Sequence, residues 1–400
     1  MEDKKISGAL EGVKVLDLTR VLAGPACTMM LADMGAEVIK VEVPGKGDDS
    51  RAFSPFQKGE SAYFINMNRN KKGVTLNMKS EEGKKIFTEM LKKADVVVEN
   101  YRPGVMERLG FGYEDIKKIN PGIVYGAVSG YGHTGPYSQR PGYDAIGQAT
   151  SGLMSTTGFP ESGPTRIGTP MADYLAGLSA AVAILGALHY KEKTGIGQKV
   201  DIALMDAAIA SMQVIQTYYL VEGRLPSRIG NRYESNYPTD GYPTADGNIM
   251  VSAANDKLWR AMAAAIGRED LADNEKTHSN RERLQNWPYI REEILKWTTL
   301  HSTAECVDIL VKAGVPAASI NDISQVVADP QTKNREMFVE IEHPVAGKMT
   351  MTGSQLKLSE TPVTYRKTAP ALGEDNEAVY GEWIGLTAEQ IADYKEKGVM

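Results

Sequence analysis

From residue 13 to residue 129 the chain repeats one pattern, and that pattern limits the fold more than anything else in it. Short β-branched runs, VKVLDL (13–18), EVIKVE (37–42), VTLNM (74–78), DVVVE (95–99) and GIVYGAVS (122–129), are separated by helical or turn-rich stretches. Apolar runs this short, bounded by turn residues, read as buried strands, and helices between them read as crossovers of a largely parallel sheet. After the first strand a loop with Gly24 and Pro25 leads into an apolar helix to about Met34, with Gly35 at its end. Ser80 is placed to cap a helix whose first turn carries Glu81 and Glu82 and whose end carries Lys92 and Lys93, matching the macrodipole at both ends. A long Ala/Leu helix follows over about 172–192. KVDIALMD (199–206) then reads as strand turning to helix, running to about 222.

Beyond that point the texture changes. Residues 223–247, with Gly, Pro, Asn and Tyr, read as a connection. Residues 248–325 read as a smaller α/β domain with amphipathic helices bearing Trp259, Trp287 and Trp297. The stretch 338–358 alternates in β fashion and a last helix begins near Thr387. The expected division is therefore 1–222 for the first part of a large domain, 223–247 for a linker, 248–325 for the small domain, and 326–400 for a linker and a return to the large domain. Four hundred residues suit two to three domains at roughly 100–200 residues each.

Composition narrows the functional classes. Lys and Arg total 45 against 51 Asp and Glu, so the net charge of −6 speaks against a nucleic-acid binder. The start MEDKKISGAL has no apolar signal-like core, and the apolar run Leu178–Leu188 is shorter than the ~20 residues of a membrane span. A cytoplasmic protein with no membrane or nucleic-acid partner is expected. Cys27 and Cys306 lack metal or redox spacing and read as buried, reduced thiols.

Several familiar chemistries fail at the residue level. Gly130-Tyr-Gly132-His-Thr-Gly135 matches a dinucleotide fingerprint, but Pro136 and Pro141 follow where the phosphate-binding helix would have to begin. RVLAGPA (20–26), after the first strand, has a single glycine. There is no GxSxG elbow and no P-loop. His133, His189, His278, His301 and His343 form no metal-ligand spacing, so no metal is expected and turn or surface histidine is the reading for them.

Carboxylates remain. Asp173, in GTPMADYLAG at the head of the long apolar helix, reads first as an N-cap. The functional alternative uses the same location: a helix N-terminus stabilises an ionised carboxylate, and such a carboxylate can attack an activated acyl group. Gly168, Ala172, Ala176 and Gly177 leave room for a ligand, and equally suit close helix packing. Asp144 is a second candidate, with a turn aspartate as the plain reading, and Asp17 and Asp206 read as structural.

The ordered series LEGVKVLDLTRVLAGPACTMMLADMGAEVIKVE, NRNKKGVTLNMK, DVVVENYRPGVMERLG, SGYGHTGPYSQRPGYD, KTGIGQKVDIALMDA and APALGEDN resembles the class III (family III) CoA-transferases, the group of formyl-CoA transferase and carnitine CoA-transferase. The resemblance spans nearly the whole chain. It implies an α/β fold in which both chain ends build a large Rossmann-like domain around a smaller one, in an interlocked homodimer. It implies transfer of coenzyme A from an acyl-CoA donor to a carboxylic acid, with Asp173 passing through an aspartyl anhydride and an aspartyl–CoA thioester. No tightly bound cofactor is implied; the CoA thioester is a substrate. By the same resemblance Val21, Leu22, Ala23, Asn100, Tyr101 and Arg108 contact CoA, with Lys79, Arg140 and Tyr143 as further contacts. CoA phosphates call for such cations in an acidic protein.

Two departures stand out. Formyl-CoA transferase carries glutamine at the position of Leu22, and a tetraglycine loop that is missing between 223 and 275, which argues against formate and oxalate. The related α-methylacyl-CoA racemases are the alternative. Their histidine base falls in a GHD motif, matched here by Gly142-Tyr143-Asp144, and a tyrosine with an ordinary pKa near ~10 is a poor base at neutral pH.

Overall fold

The computed structural model describes residues 8–400. By its contacts the chain divides into two compact units: residues up to Leu153 with Arg166–Thr217 and Gln331–Met400, and Met154–Thr165 with Tyr218–Pro330.

The first unit is built on a six-stranded parallel sheet: β1 (Lys14–Asp17), β2 (Glu37–Glu42), β3 (Lys71–Thr75), β4 (Val96–Glu99), β5 (Val124–Ser129) and β6 (Lys199–Ala203). Its spatial order is β3-β2-β1-β4-β5-β6. Alternate residues of each strand serve opposite faces. Leu16, Ile39, Val41, Val74 and Val97 pack with Ile86, Phe87 and Met90 of α1 (Glu81–Leu91), whereas Val15, Val38, Val96, Val98, Val124 and Val128 pack on the other face. That second face is covered by α2 (Ala23–Asp33) and α3 (Met171–Thr194), which supply Cys27, Met30, Ala172, Ala176 and Ala180. Both cysteines are buried and free, as expected, and burial pushes the Cys27 thiol up to about 12. Ser80 caps α1 by accepting from the Gly83 amide at 3.0 Å, although the helix ends at Leu91 and leaves Lys92 as its C-cap.

The third strand begins three residues before the expected 74–78. Lys71 escapes a hydrophobicity reading because it is charged, yet it is fully buried. Its ammonium lies 2.9 Å from Asp17 and 2.8 Å from the Thr28 hydroxyl, so a satisfied ion pair lets a lysine occupy a central position. Asp17 is thereby structural, as expected; Asp206 is exposed in the first turn of α4 (Leu204–Ser211). The β3 edge is closed by the chain's return: Asp375 accepts from the Gly73 amide at 2.7 Å and Asn376 from Thr75 at 2.9 Å, at the start of α5 (Asn376–Ile384). Side chains thus occupy ladder groups that an open edge would leave exposed.

The second unit holds a three-stranded antiparallel sheet of β7 (Thr239–Pro243), β8 (Asn248–Ser252) and β9 (Ala317–Ser319), in the order β9-β8-β7. Helices Asp256–Ala265, Trp287–Thr298 and Thr303–Lys312 close a core around Trp259 and Tyr242. Two features depart from the sequence reading. The stretch read as a connection contains β7, whose glycine and proline hid its pairing with β8. Residues 154–165 join this unit through bonds such as Gly230 N–H to Gly158 O at 3.0 Å, a long-range pairing with no local signature. The segment 338–358 forms a hairpin of β10 (Phe338–His343) and β11 (Gly347–Thr352).

Helix α3 has 24 residues and is long and apolar enough to cross a membrane by length and composition. In this fold its small residues are packed against α2. A side chain at Gly177 would meet the Ala23 carbonyl oxygen at 2.5 Å, so the glycine permits close helix contact.

Candidate active site

In a doubly wound sheet the crevice lies beyond the carboxyl ends of the strands where the strand order reverses. Here β1 and β4 are adjacent and their connections depart in opposite directions. The loop after β1 (Arg20–Ala23) and the loop after β4 (Asn100–Pro103) form two walls of a cleft. Ser129 and Gly130 at the end of β5, Arg140–Tyr143, and Asp173 on α3 complete it. Of the residues singled out in the sequence, Val21, Leu22, Ala23, Asn100, Tyr101, Arg140, Tyr143 and Asp173 line this one cleft.

Arg108 and Lys79 do not line it. Arg108 is exposed near the end of the short helix Val105–Leu109, with its guanidinium leaning back over Gly104. Lys79 is exposed in the turn before α1. Both residues are exposed, so neither is fixed at the cleft by packing.

Asp173 is not the N-cap that local sequence suggests. Pro170 occupies that position with no capping side chain, and Asp173 is the third helical residue. The capping function comes from a distance. Asp144 accepts from the amides of Ala172 at 2.8 Å and Asp173 at 3.3 Å, and from Gln148 Nε2 at 2.8 Å. Gln148 in turn accepts from the Ile167 amide at 2.9 Å, which fixes its orientation. The turn aspartate of the sequence reading therefore holds the head of α3 in place.

The consequence for Asp173 is electrostatic. A helix N-terminus ordinarily favours a carboxylate's charge, but the free amides here are already committed to Asp144. Among the described residues no hydrogen bond or ion pair reaches the Asp173 carboxylate. Burial, and then the negative charge of Asp144, push its carboxyl up to about 7. A half-buried, unpaired carboxylate facing a cleft is poised as a base or nucleophile. Tyr63 lies within reach of the same field: burial and the charges of Asp173, Asp48 and Asp144 push it up to about 12, so it stays a protonated hydroxyl.

The β1 loop is held in an unusual conformation. Val21 has φ of 68°, a left-handed value disfavoured for a β-branched residue. Three side-chain bonds impose it. Asn100 accepts from the Arg20 amide at 2.8 Å and donates to the Arg20 carbonyl at 2.7 Å, while Asp48 accepts from the Val21 amide at 3.1 Å. Asp48 is itself paired with buried Lys40 at 2.9 Å. Both ends of the Asn100 side chain are therefore used within the protein, and Asn100 shapes the cleft wall.

Sequence reasoning missed Arg20, Asp49, Arg102 and Ser129, which also line the cleft. Arg20 pairs with Asp49 at 3.0 Å and lies over the Tyr101 ring at 5.4 Å. Arg140 stacks on Tyr137 at 3.7 Å, and neither Arg140 nor Arg102 has a carboxylate partner among the described residues. The Ser129 hydroxyl is buried without a hydrogen-bond partner among the described residues. Only the position after a strand end could have flagged these residues. The Gly130–Gly135 motif opens no helix; Gly130 instead packs on Gly142, where a side chain would meet the Cα at 2.7 Å, closing the loop over 130–142. His133, read as a surface or turn residue, has a side chain only 7% exposed, because the loop turns it inward against Glu99. Among the described residues no group of three or more His, Cys, Asp or Glu side chains is placed to hold a metal ion.

Comparison with known proteins agrees with this geometry. Residues 10–376 match the model for CoA-transferase family III. The chain is 40% identical to human succinyl-CoA:glutarate CoA-transferase, covering 98% of this chain and 90% of that one. It is 38% identical to acetyl-CoA:oxalate CoA-transferase of Acetobacter aceti, covering 96% and 98%. The crystal structure of a CAIB/BAIF family protein from Brucella suis superimposes with a TM-score of 0.84 at 34% identity, over 94% of this chain and all of that one.

Proposed function

The chain belongs to CoA-transferase family III, and from that premise we propose that Asp173 is the nucleophile that carries coenzyme A between two carboxylic acids. CoA transfer between an acyl-CoA and a carboxylic acid is the reaction its relatives are named for. The observation that carries the residue assignment is the Asp173 carboxylate itself: it faces the cleft, has no hydrogen bond or ion pair among the described residues, and is destabilised by burial beside Asp144.

The steps balance without an added cofactor. An Asp173 oxygen attacks the thioester carbonyl, the C–S bond breaks, and CoA leaves as a thiolate from a mixed aspartyl anhydride. The thiolate attacks the aspartyl carbonyl, releasing the first acid and leaving CoA as a thioester on Asp173. The acceptor carboxylate then attacks that thioester, giving a second anhydride and the thiolate. Attack of the thiolate on the acceptor's carbonyl forms the new acyl-CoA and regenerates Asp173. The unpaired guanidiniums of Arg102 and Arg140 suit CoA phosphates or a second carboxylate on the acid. The names of the two relatives support a short dicarboxylic acid as one substrate; with oxalate among them, the missing glutamine and tetraglycine loop are a poor guide to the acid. The racemase alternative is not favoured, since Tyr143 stands where its base would be.

The same reading includes a Rossmann-like large domain, supported by the strand order, and a homodimer. Helix Gln213–Glu222 buries none of its residues, although Val214, Leu220 and Val221 are exposed on it at 62–81%, so a second copy of the chain is the natural cover. Intact-protein mass spectrometry after incubation with succinyl-CoA or acetyl-CoA tests the mechanism. A borohydride-sensitive or hydroxylamine-sensitive adduct on Asp173 is expected. Transfer by the Asp173→Ala protein, or an adduct mapping elsewhere, overturns the assignment.

A further inference from the structure

Glu99 ends β4 directly beneath the cleft and is only 1% exposed. A buried carboxylate needs compensation, yet no lysine or arginine pairs with it among the described residues. Two donors converge on it instead, with a histidine close by. The Tyr101 amide donates to Oε2 at 2.7 Å, the Tyr125 hydroxyl donates to Oε1 at 3.1 Å, and His133 Nε2 lies 3.5 Å from Oε1. The histidine tautomer follows from its other side. The Lys199 ammonium is 3.0 Å from Nδ1 and can only donate, so the ring proton belongs on Nε2, facing Glu99. The remaining charges around it are Glu107, Lys199 and Asp201, the last accepting from the His133 amide at 3.0 Å.

The carboxylate stands at the root of both cleft walls. It fixes the Tyr101 amide of one wall. The intervening Asn100 grips the Arg20 backbone of the other, beside the left-handed Val21. We propose that Glu99 is a positioning residue for coenzyme A, its ionised carboxylate locking the Asn100–Tyr101 turn, and through it the Arg20–Ala23 loop, in the shape that receives the ligand. The inference rests on reading this cleft as the CoA site. Burial pushes the Glu99 carboxyl up to about 7, so the lock loosens as pH falls through neutrality: a protonated carboxyl is a weaker acceptor for its two donors, the Tyr101 amide and the Tyr125 hydroxyl.

The test is CoA binding by calorimetry in an Asp173→Ala background, which removes the titration of the nucleophile from the readout. Glu99→Gln imitates the protonated carboxyl. At pH 8 it is expected to weaken CoA binding about tenfold, as for one lost hydrogen bond to a charged group. At pH 6 the ratio between the two proteins shrinks towards one; the ligand's own phosphate titration is common to both and cancels. Equal affinity at pH 8, or a ratio that does not change with pH, overturns the inference while leaving the CoA site intact. Absence of CoA binding by the Asp173→Ala parent overturns the site reading and this inference together. If Glu99→Gln does not fold, Tyr125→Phe removes one donor alone; a weaker effect in the same direction is expected, and unchanged affinity refutes the proposal.

Discussion

Replacing Asp173 by asparagine should abolish transfer and make the protein more stable. The reason lies in the arrangement at the head of α3, where Asp144 has taken the amides that would otherwise stabilise the Asp173 charge. A carboxyl held at about 7 instead of its ordinary 3.8 opposes folding once it is ionised, by at most about 4 kcal/mol at ~1.36 kcal/mol per pH unit. Asp173 is partly exposed, so solvent screening reduces this, and a gain of about 1–2 kcal/mol is the expected size for Asp173→Asn at pH 8. The sign depends on pH. Below the ordinary carboxyl pKa the group is protonated whether folded or unfolded and contributes nothing. Between there and about 7 the folded protein retains a proton that the unfolded chain releases, so stability declines as pH rises. Above 7 the full cost is present. Urea unfolding followed by far-ultraviolet circular dichroism, at pH 8 and pH 4.5, measures it. The variant should be the more stable protein at pH 8, with the advantage cut to about a quarter at pH 4.5. An equal or less stable variant at pH 8, or an advantage undiminished at pH 4.5, would refute the electrostatic argument.

Three other expectations follow from the same geometry. Transfer requires ionised Asp173, so kcat/KM should fall about tenfold between pH 8 and pH 6, and Asp144→Asn, by removing the like charge, should move that limb to lower pH in a pH–rate profile. Arg140→Ala should raise KM for acyl-CoA by about tenfold, as expected for a lost charge-assisted contact, whereas Arg108→Ala, outside the cleft lining, should change it less; steady-state kinetics with both variants ranks them. Asp375→Ala strips the acceptor from the Gly73 edge amide and breaks the pair with Lys367 at 2.7 Å, and should cost about 1–3 kcal/mol in urea unfolding without altering KM.

The sheet was legible before the structure because strands and helices carry their signals locally. Five of the six parallel strands stand where β-branched runs lie between turn residues, and the caps at Ser80 and Thr387 are local oxygen-to-amide contacts. The sixth, β3, was displaced because buried Lys71 contradicts the pattern, and only its partner Asp17, 54 residues away, explains it. The same division applies to the site. Asp173, the Val21–Ala23 loop and Asn100–Tyr101 were found through motif series, but their roles shift in three dimensions: Asp173 is an uncapping carboxylate, Asn100 a clamp on Arg20, and Asp144 the true cap of α3. By itself the sequence determined the order of elements, the parallel sheet, the family resemblance and the candidate nucleophile, since all of these are written in residue types at short spacing. Tertiary structure alone decided which carboxylate is held by amides and which is not, because that depends on whose oxygen reaches the two amides at the head of α3, from a residue 28 positions earlier in the chain.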